Sequence, residues 1–196
     1  MVPLTHIEQT LRTNQPSTVD GGSRRRTAVA MLLRERPAGV DMLFVERSSH
    51  PDDPWSGDLG FPGGKLDPSD AGPRQAAERE TREELGIDLG ASRYFGFLGE
   101  ILGAHLPVMV SCYVYQVDPD IRLTPNRELQ GAYWVPLATL FDPQRQALAR
   151  VMFRDAELSR PAIRLPLPGR NILWGITYRL VMILAERIPE LKMVKP

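Results

Sequence analysis

A chain of 196 residues, 42% hydrophobic and 24% charged, has the composition of one ordinary globular domain and excludes a disordered or fibrous protein. Its 24 basic and 24 acidic residues cancel, which argues against a protein whose main work is binding a nucleic-acid backbone. The single cysteine, Cys112, excludes an internal disulfide, and without a CxxC pair there is no thiolate zinc site. A reducing, cytoplasmic location is therefore expected, since the first residues lack the basic-then-apolar pattern of a secretory signal. Ile172 to Ile188 is the most apolar late stretch, but Arg179 and Glu186 interrupt it, so no membrane span is expected.

Residues 1–26 are polar and read as a flexible lead-in, with one short helix near Ile7 to Leu11 and a solvated basic run at Arg24, Arg25 and Arg26. The domain proper is expected over 27–190. Thr27 to Leu33 and Val40 to Val45 predict two strands joined through Pro37 and Gly39. Ser48 to Pro73 is a long Gly- and Pro-rich loop, a length that usually carries function. A helix is predicted from Pro73 to Leu85, with Asp70 as an upstream cap and Gly86 as its stop. Tyr94 to Leu102, Val108 to Val117 and Tyr133 to Val135 predict strands. Leu137 to Leu140 and Gln144 to Met152 read as helical. Proline-rich Pro161 to Pro168 reads as a connection, and Ile172 to Ile188 as a helix packed on a sheet. The sum is an α/β domain with helices on both faces of a sheet.

The helix Pro73 to Leu85 holds the informative stretch, Glu78-Arg79-Glu80-Thr81-Arg82-Glu83-Glu84. At about 100° per residue, Glu80, Glu83 and Glu84 fall within an arc of about 100°. Ion pairs Glu78–Arg82 and Arg79–Glu83 at i,i+4 would make this an ordinary exposed helix. Against that, Glu80–Glu84 is a like-charge i,i+4 pair and Glu83 adds a third negative charge, an arrangement that favours a bound cation. Three carboxylates are hard ligands suited to Mg²⁺ or Mn²⁺, with Arg79 orienting Glu83. Just upstream, Gly60-Phe61-Pro62-Gly63-Gly64-Lys65 supplies tight-turning backbone whose carbonyls can join a metal shell. It is not a P-loop, because Leu66 follows Lys65.

Gly64, Arg79-Glu80, Glu83-Glu84 and Gly86-Ile87 resemble the Nudix box, Gly-x5-Glu-x7-Arg-Glu-U-x-Glu-Glu-x-Gly-U with U aliphatic. Asp70 stands where the first Glu is expected, one extra residue separates it from Arg79, and Thr81 replaces an aliphatic residue. Arg47-Ser48, Gly57 and Phe61-Pro62-Gly63-Gly64, with Trp174-Gly175-Ile176-Thr177 later, look like the coenzyme A diphosphatase branch of that family. The resemblance implies a Nudix-type α/β/α sandwich with a mixed sheet between helices. It also implies a divalent-metal-dependent pyrophosphohydrolase that cuts a nucleoside diphosphate from another moiety, with coenzyme A as the leading substrate. ADP-ribose, NADH or dinucleoside polyphosphates are alternatives, as is a Nudix-fold sensor that binds without cleaving.

By the same resemblance Glu80, Glu83, Glu84 and the Gly64 carbonyl hold Mg²⁺ or Mn²⁺, and Arg79 supports them. The general base is sought outside the box. Glu128, six residues before Trp134, is the first candidate and Glu100 the second. Arg47 and Lys65 are candidates to neutralise phosphate, and Trp55 to stack on a base. The expected partner is a small-molecule nucleotide, with no nucleic acid and no membrane; a homodimer is left open. His6, His50 and His105 are scattered without a His-Glu-x-x-His pattern, Ser56 lacks a nucleophile frame, and Cys112 reads as core.

Overall fold

The computed structural model describes residues 2–14, 16, 18–48, 57–153, 156–169 and 171–193. β1 (Arg25–Arg36) and β2 (Gly39–Arg47) form the expected hairpin. They pair only from Leu33↔Met42 to Arg36↔Gly39, and then part. Two short strands fill the fork. β4 (Gly63–Lys65) takes the freed edge of β1, and β3 (Leu59–Gly60) pairs with the end of β2. On its other side β1 runs parallel to β6 (Val108–Gln116), which pairs antiparallel with β5 (Arg93–Leu102). β7 (Leu129–Pro136) closes the far edge of β2 and is longer than the predicted Tyr133 to Val135. One parallel pair among antiparallel ones makes a mixed sheet.

β1 and β2 are apolar on both faces, so both faces need cover. α2 (Pro73–Leu85) covers one face, where Ala76, Ala77 and Leu85 meet Ala28, Ala30, Leu32, Leu43 and Val45. Thr81 lies at an inward position too, and its hydroxyl donates to the Ala77 carbonyl at 2.7 Å, so the missing aliphatic leaves no unsatisfied group. α1 (Leu4–Thr13) and α4 (Gly175–Arg187) cover the other face. α1 is longer than the expected short helix. Its Leu4, Ile7 and Leu11, at i, i+3 and i+7, form a stripe buried against the core, so this helix is packed rather than loose. Buried Glu8 turns back to Arg12 and Arg93 and ties α1 to β5.

The C-terminal third differs most from expectation. Gln144 to Met152, read as a helix, is β8 (Gln146–Phe153) after a short turn. Ala149 and Val151 turn inward while Leu148, Arg150 and Met152 face solvent, a period of two. Eight consecutive pairs with β9 (Ala156–Arg164) override the helical preference of Gln-Ala-Leu-Ala-Arg. Pro161, read as part of a connection, lies inside β9. It faces Leu148 of β8 but sits just beyond β10 (Ile172–Trp174), whose pairing stops at Ala162. The helix expected from Ile172 thus begins as a strand and turns helical only at Gly175. α3 (Leu137–Leu140) is as expected.

Candidate active site

α2 starts with Pro73 at its first turn and stops at Gly86, whose left-handed backbone returns an N–H to the Arg82 carbonyl. Asp70 does not cap it. Gly72 occupies the N-cap, and Asp70 instead reaches Arg79 with both oxygens, each 3.1 Å from a guanidinium nitrogen. The extra residue and the shorter side chain therefore still deliver a carboxylate to Arg79. The same guanidinium donates to Glu80 at 2.9 Å, to Glu83 at 3.3 Å and to the Lys65 carbonyl at 3.1 Å. Asp70 is 3% exposed, so this planar fork is a buried junction between the loop and the helix. Arg79 holds the Asp70 carboxyl below its ordinary range, and Asp70 in turn raises Arg79 further, so both stay charged. Glu78 turns away to Arg74 and the Tyr115 hydroxyl, and not to Arg82.

The strand fork sets the second half of the site. Gly63 has φ of +148°, and a Cβ there would strike the Ala28 carbonyl, so β4 can lie in the fork only with glycine. Its amide donates to Glu84 at 3.0 Å, and the other Glu84 oxygen is 3.7 Å from Arg47. Gly64 packs so closely on the Glu80 carboxylate that a Cβ would occupy the carboxylate's place. The loop between β6 and β7 completes the arrangement by capping α2. Thr124 and Asn126 donate their amides to the Leu85 and Glu84 carbonyls, and the Asn126 side chain donates to the Glu83 carbonyl. Asn126 also accepts from the Glu128 amide, while the Glu128 carbonyl accepts from Ser48. One loop thereby satisfies the helix end and brings Glu128 to the carboxylates.

Electrostatics records that approach. Burial pushes the Glu84 carboxyl up to about 7, against the Gly63 amide and Arg47, and the charges of Glu80 and Glu128 add to the rise. Glu80 is raised for the same leading reason, with Glu83 and Glu128 contributing. Among the described residues no three His, Cys, Asp or Glu side chains converge closely enough to hold an ion as they stand. Glu80 and Glu83 are drawn onto Arg79, and Glu84 onto the Gly63 amide. The donor chemistry nevertheless fits Mg²⁺ or Mn²⁺. All the donors are hard oxygens, they repel one another, and the Gly64 backbone lies against one of them.

The structure therefore brings together Gly64, Arg79, Glu80, Glu83, Glu84, Glu128 and Arg47. Lys65 contributes its carbonyl to Arg79, and its side chain is exposed. Trp55, His50 and Ser56 lie outside the described residues. Glu100 is placed elsewhere, accepting from Ser111 and the Val19 amide. His6 and His105 stand apart from α2, beside Glu190 and Arg160 respectively. Cys112 is fully buried and its thiol pushed well up by burial, as core. Sequence reading missed Asn126 and Thr124; the turn-forming Thr-Pro-Asn at 124–126 before a strand was the available signal.

The NUDIX domain model matches residues 23–156. The human mitochondrial coenzyme A diphosphatase NUDT8 is 31% identical over 140 residues, 69% of this chain and 58% of that protein. A probable nudix hydrolase of Schizosaccharomyces pombe is 28% identical over 170 residues, 84% of this chain and 54% of the relative. The chain thus spans little more than half the length of these two relatives. A MutT/nudix family protein from Enterococcus faecalis superposes with a TM-score of 0.59 at 16% identity, covering 96% of this chain and 70% of the other. The NUDIX domain of Shewanella oneidensis NrtR, complexed with ADP ribose, gives 0.56 at 18% identity, covering 92% and 97%. Family match, relatives and fold agree, and the chain belongs to the NUDIX family.

Proposed function

We propose that the protein is a divalent-metal-dependent pyrophosphohydrolase whose substrate is coenzyme A or a closely related nucleoside diphosphate derivative. The observation that carries the hydrolase reading is the cluster of Glu80, Glu83, Glu84 and Glu128 at one end of α2, since binding alone does not require so many mutually repelling acids. The coenzyme A reading is supported by the 31% identity to the human diphosphatase and by the Arg-Ser…Phe-Pro-Gly-Gly segment.

Mg²⁺ or Mn²⁺ held by Glu80, Glu83, Glu84 and the Gly64 carbonyl would polarise phosphate oxygens and lower the pKa of the attacking water. The chain's own residues do the rest. Arg79, fixed from behind by Asp70, holds Glu80 and Glu83 on one side of α2. Glu128, whose backbone is held by Asn126 and Ser48, takes the proton from water. Arg47 offsets charge beside Glu84, and Lys65 offers a mobile cation to phosphate. No helix among the described residues is long and apolar enough to cross a membrane.

The test is incubation with Mg²⁺ or Mn²⁺ and a panel of coenzyme A, ADP-ribose, NADH, diadenosine polyphosphates and nucleotide sugars, with products separated by chromatography. Coenzyme A should be cleaved to 3′,5′-ADP and 4′-phosphopantetheine, and cleavage should be lost in Glu83→Gln and Glu84→Gln. Metal binding without cleavage of any compound would move the reading to a sensor.

A further inference from the structure

Trp174-Gly175-Ile176-Thr177 contributes no group to the carboxylate site, and lies where β10 gives way to α4. Trp174 is the last residue of β10 and pairs with Ala162 of β9, so the three-stranded sheet fixes its backbone. Gly175 follows with φ of +65°, a left-handed turn that lets the helix begin at once. The indole ring meets Phe153 of β8 edge-on at 6.2 Å, and its N–H donates to the Asp58 carboxylate at 3.2 Å. Asp58 is not part of that sheet. It stands directly before β3, which pairs with β2 of the larger sheet. A side chain of the second sheet thus reaches across to the strand fork beside α2.

Asp58 begins the stretch that carries the glycines to the carboxylates. Its carbonyl accepts from the Arg47 amide at 3.2 Å, and Leu59 and Gly60 pair with Glu46 and Val45 of β2. Phe61 then stacks on Phe44 at 5.3 Å, and the Pro62 carbonyl accepts from the Ala30 amide at 2.9 Å. Gly63 and Gly64 come next, the first donating its amide to Glu84 and the second lying against Glu80. β3 has two residues and β4 three, so ladder bonds alone hold this stretch weakly. A charge-assisted hydrogen bond at its start adds a fixed point drawn from a different sheet.

We infer that Trp174 is a positioning residue for the carboxylate site: through Asp58 it holds the strand fork so that Gly63 and Gly64 meet Glu84 and Glu80 as a divalent ion requires. It touches neither ion nor substrate, and its role rests on the metal-dependent reading of that site. Calorimetric titration with Mn²⁺, without substrate, would compare the native protein with Trp174→Phe, Asp58→Ala, Asp58→Asn and the Trp174→Phe/Asp58→Ala pair. Trp174→Phe keeps a ring against Phe153 but loses the N–H, and should weaken Mn²⁺ binding about fivefold. Asp58→Asn keeps an acceptor and should stay within about twofold of native. The double variant should bind no more weakly than Asp58→Ala, because both changes remove one bond. The Kd belongs to the folded chain, so a merely structural role would lower the melting temperature and leave Mn²⁺ affinity native. That result would overturn the inference, as would full additivity of the two substitutions. If Trp174→Phe does not fold, Asp58→Ala against Asp58→Asn decides, and equal affinities in those two would overturn it. Native protein that binds no Mn²⁺ removes the metal site and this role with it. Mn²⁺ binding that is weakened in Trp174→Phe, with no cleavage of coenzyme A by native protein, sinks the hydrolase alone.

Discussion

The carboxylate helix and the three-stranded sheet β8–β9–β10 are built on opposite principles. Around α2 the polar groups hold one another, with Asp70, Glu80, Glu83 and the Lys65 carbonyl converging on Arg79 and the helix end closed by Asn126 and Thr124. The second sheet is thin. Ala149, Val151 and Ala162 make its small buried cluster, while Leu148 and Met152 are 73% and 64% exposed. Where such a network is shielded from water, as at Asp70, removing one partner leaves a charge unpaired, whereas its exposed member Glu83 can be changed at little cost to stability. A thin sheet with few buried side chains tolerates change.

The strongest way to break this contrast is at the chemistry. Glu83→Gln should lower turnover about a hundredfold or more, yet leave the melting temperature near native, because its side chain is 53% exposed. Asp70→Ala comes next, on stability as well as rate. It leaves Arg79 without its bidentate partner in a nearly closed junction, and should cost about 3 kcal/mol in urea unfolding. The same pair has a pH signature. Arg79 depresses the Asp70 carboxyl, so its contribution is complete above the ordinary value of 3.8 and is lost as pH falls through the lowered one. Asp70→Asn should accordingly flatten the acid limb of the stability profile measured by thermal melting.

Smaller effects sharpen the comparison. Asn126→Ala removes a donor to the Glu83 carbonyl and the acceptor that holds Glu128, and should cost about 1 kcal/mol together with a fall in kcat. Leu148→Ser with Met152→Ser should change stability by no more than about 0.5 kcal/mol, since neither side chain is buried. A loss of several kcal/mol there would show that β8 is covered in solution and would end the contrast.

The two regions were also unequally legible in the sequence. α2 announced itself through Pro73, Gly86 and the arc of acids, because those residues act locally on the backbone, but β3 and β4 fall inside what the sequence presents as one long loop from Ser48 to Pro73. What could not be read was partner choice. Asp70 looked like a cap by position, yet Arg79 nine residues on is the stronger partner for a carboxylate. Glu128 was named from its place before Trp134, but the reason it arrives at α2, Asn126 binding the helix end, depends on tertiary contact. Gln144 to Met152 failed for a similar reason. Its residues favour a helix in isolation, and only pairing with β9, which carries Pro161 within it, makes it a strand.

The most direct measurement is steady-state hydrolysis of coenzyme A as Mg²⁺ is titrated, on native protein and Glu83→Gln side by side. The native protein should show turnover that rises from zero with Mg²⁺ and saturates, and Glu83→Gln should lose it while melting normally. Turnover that is independent of Mg²⁺, or equal in the two proteins, would contradict the assignment of the chemistry to the α2 carboxylates.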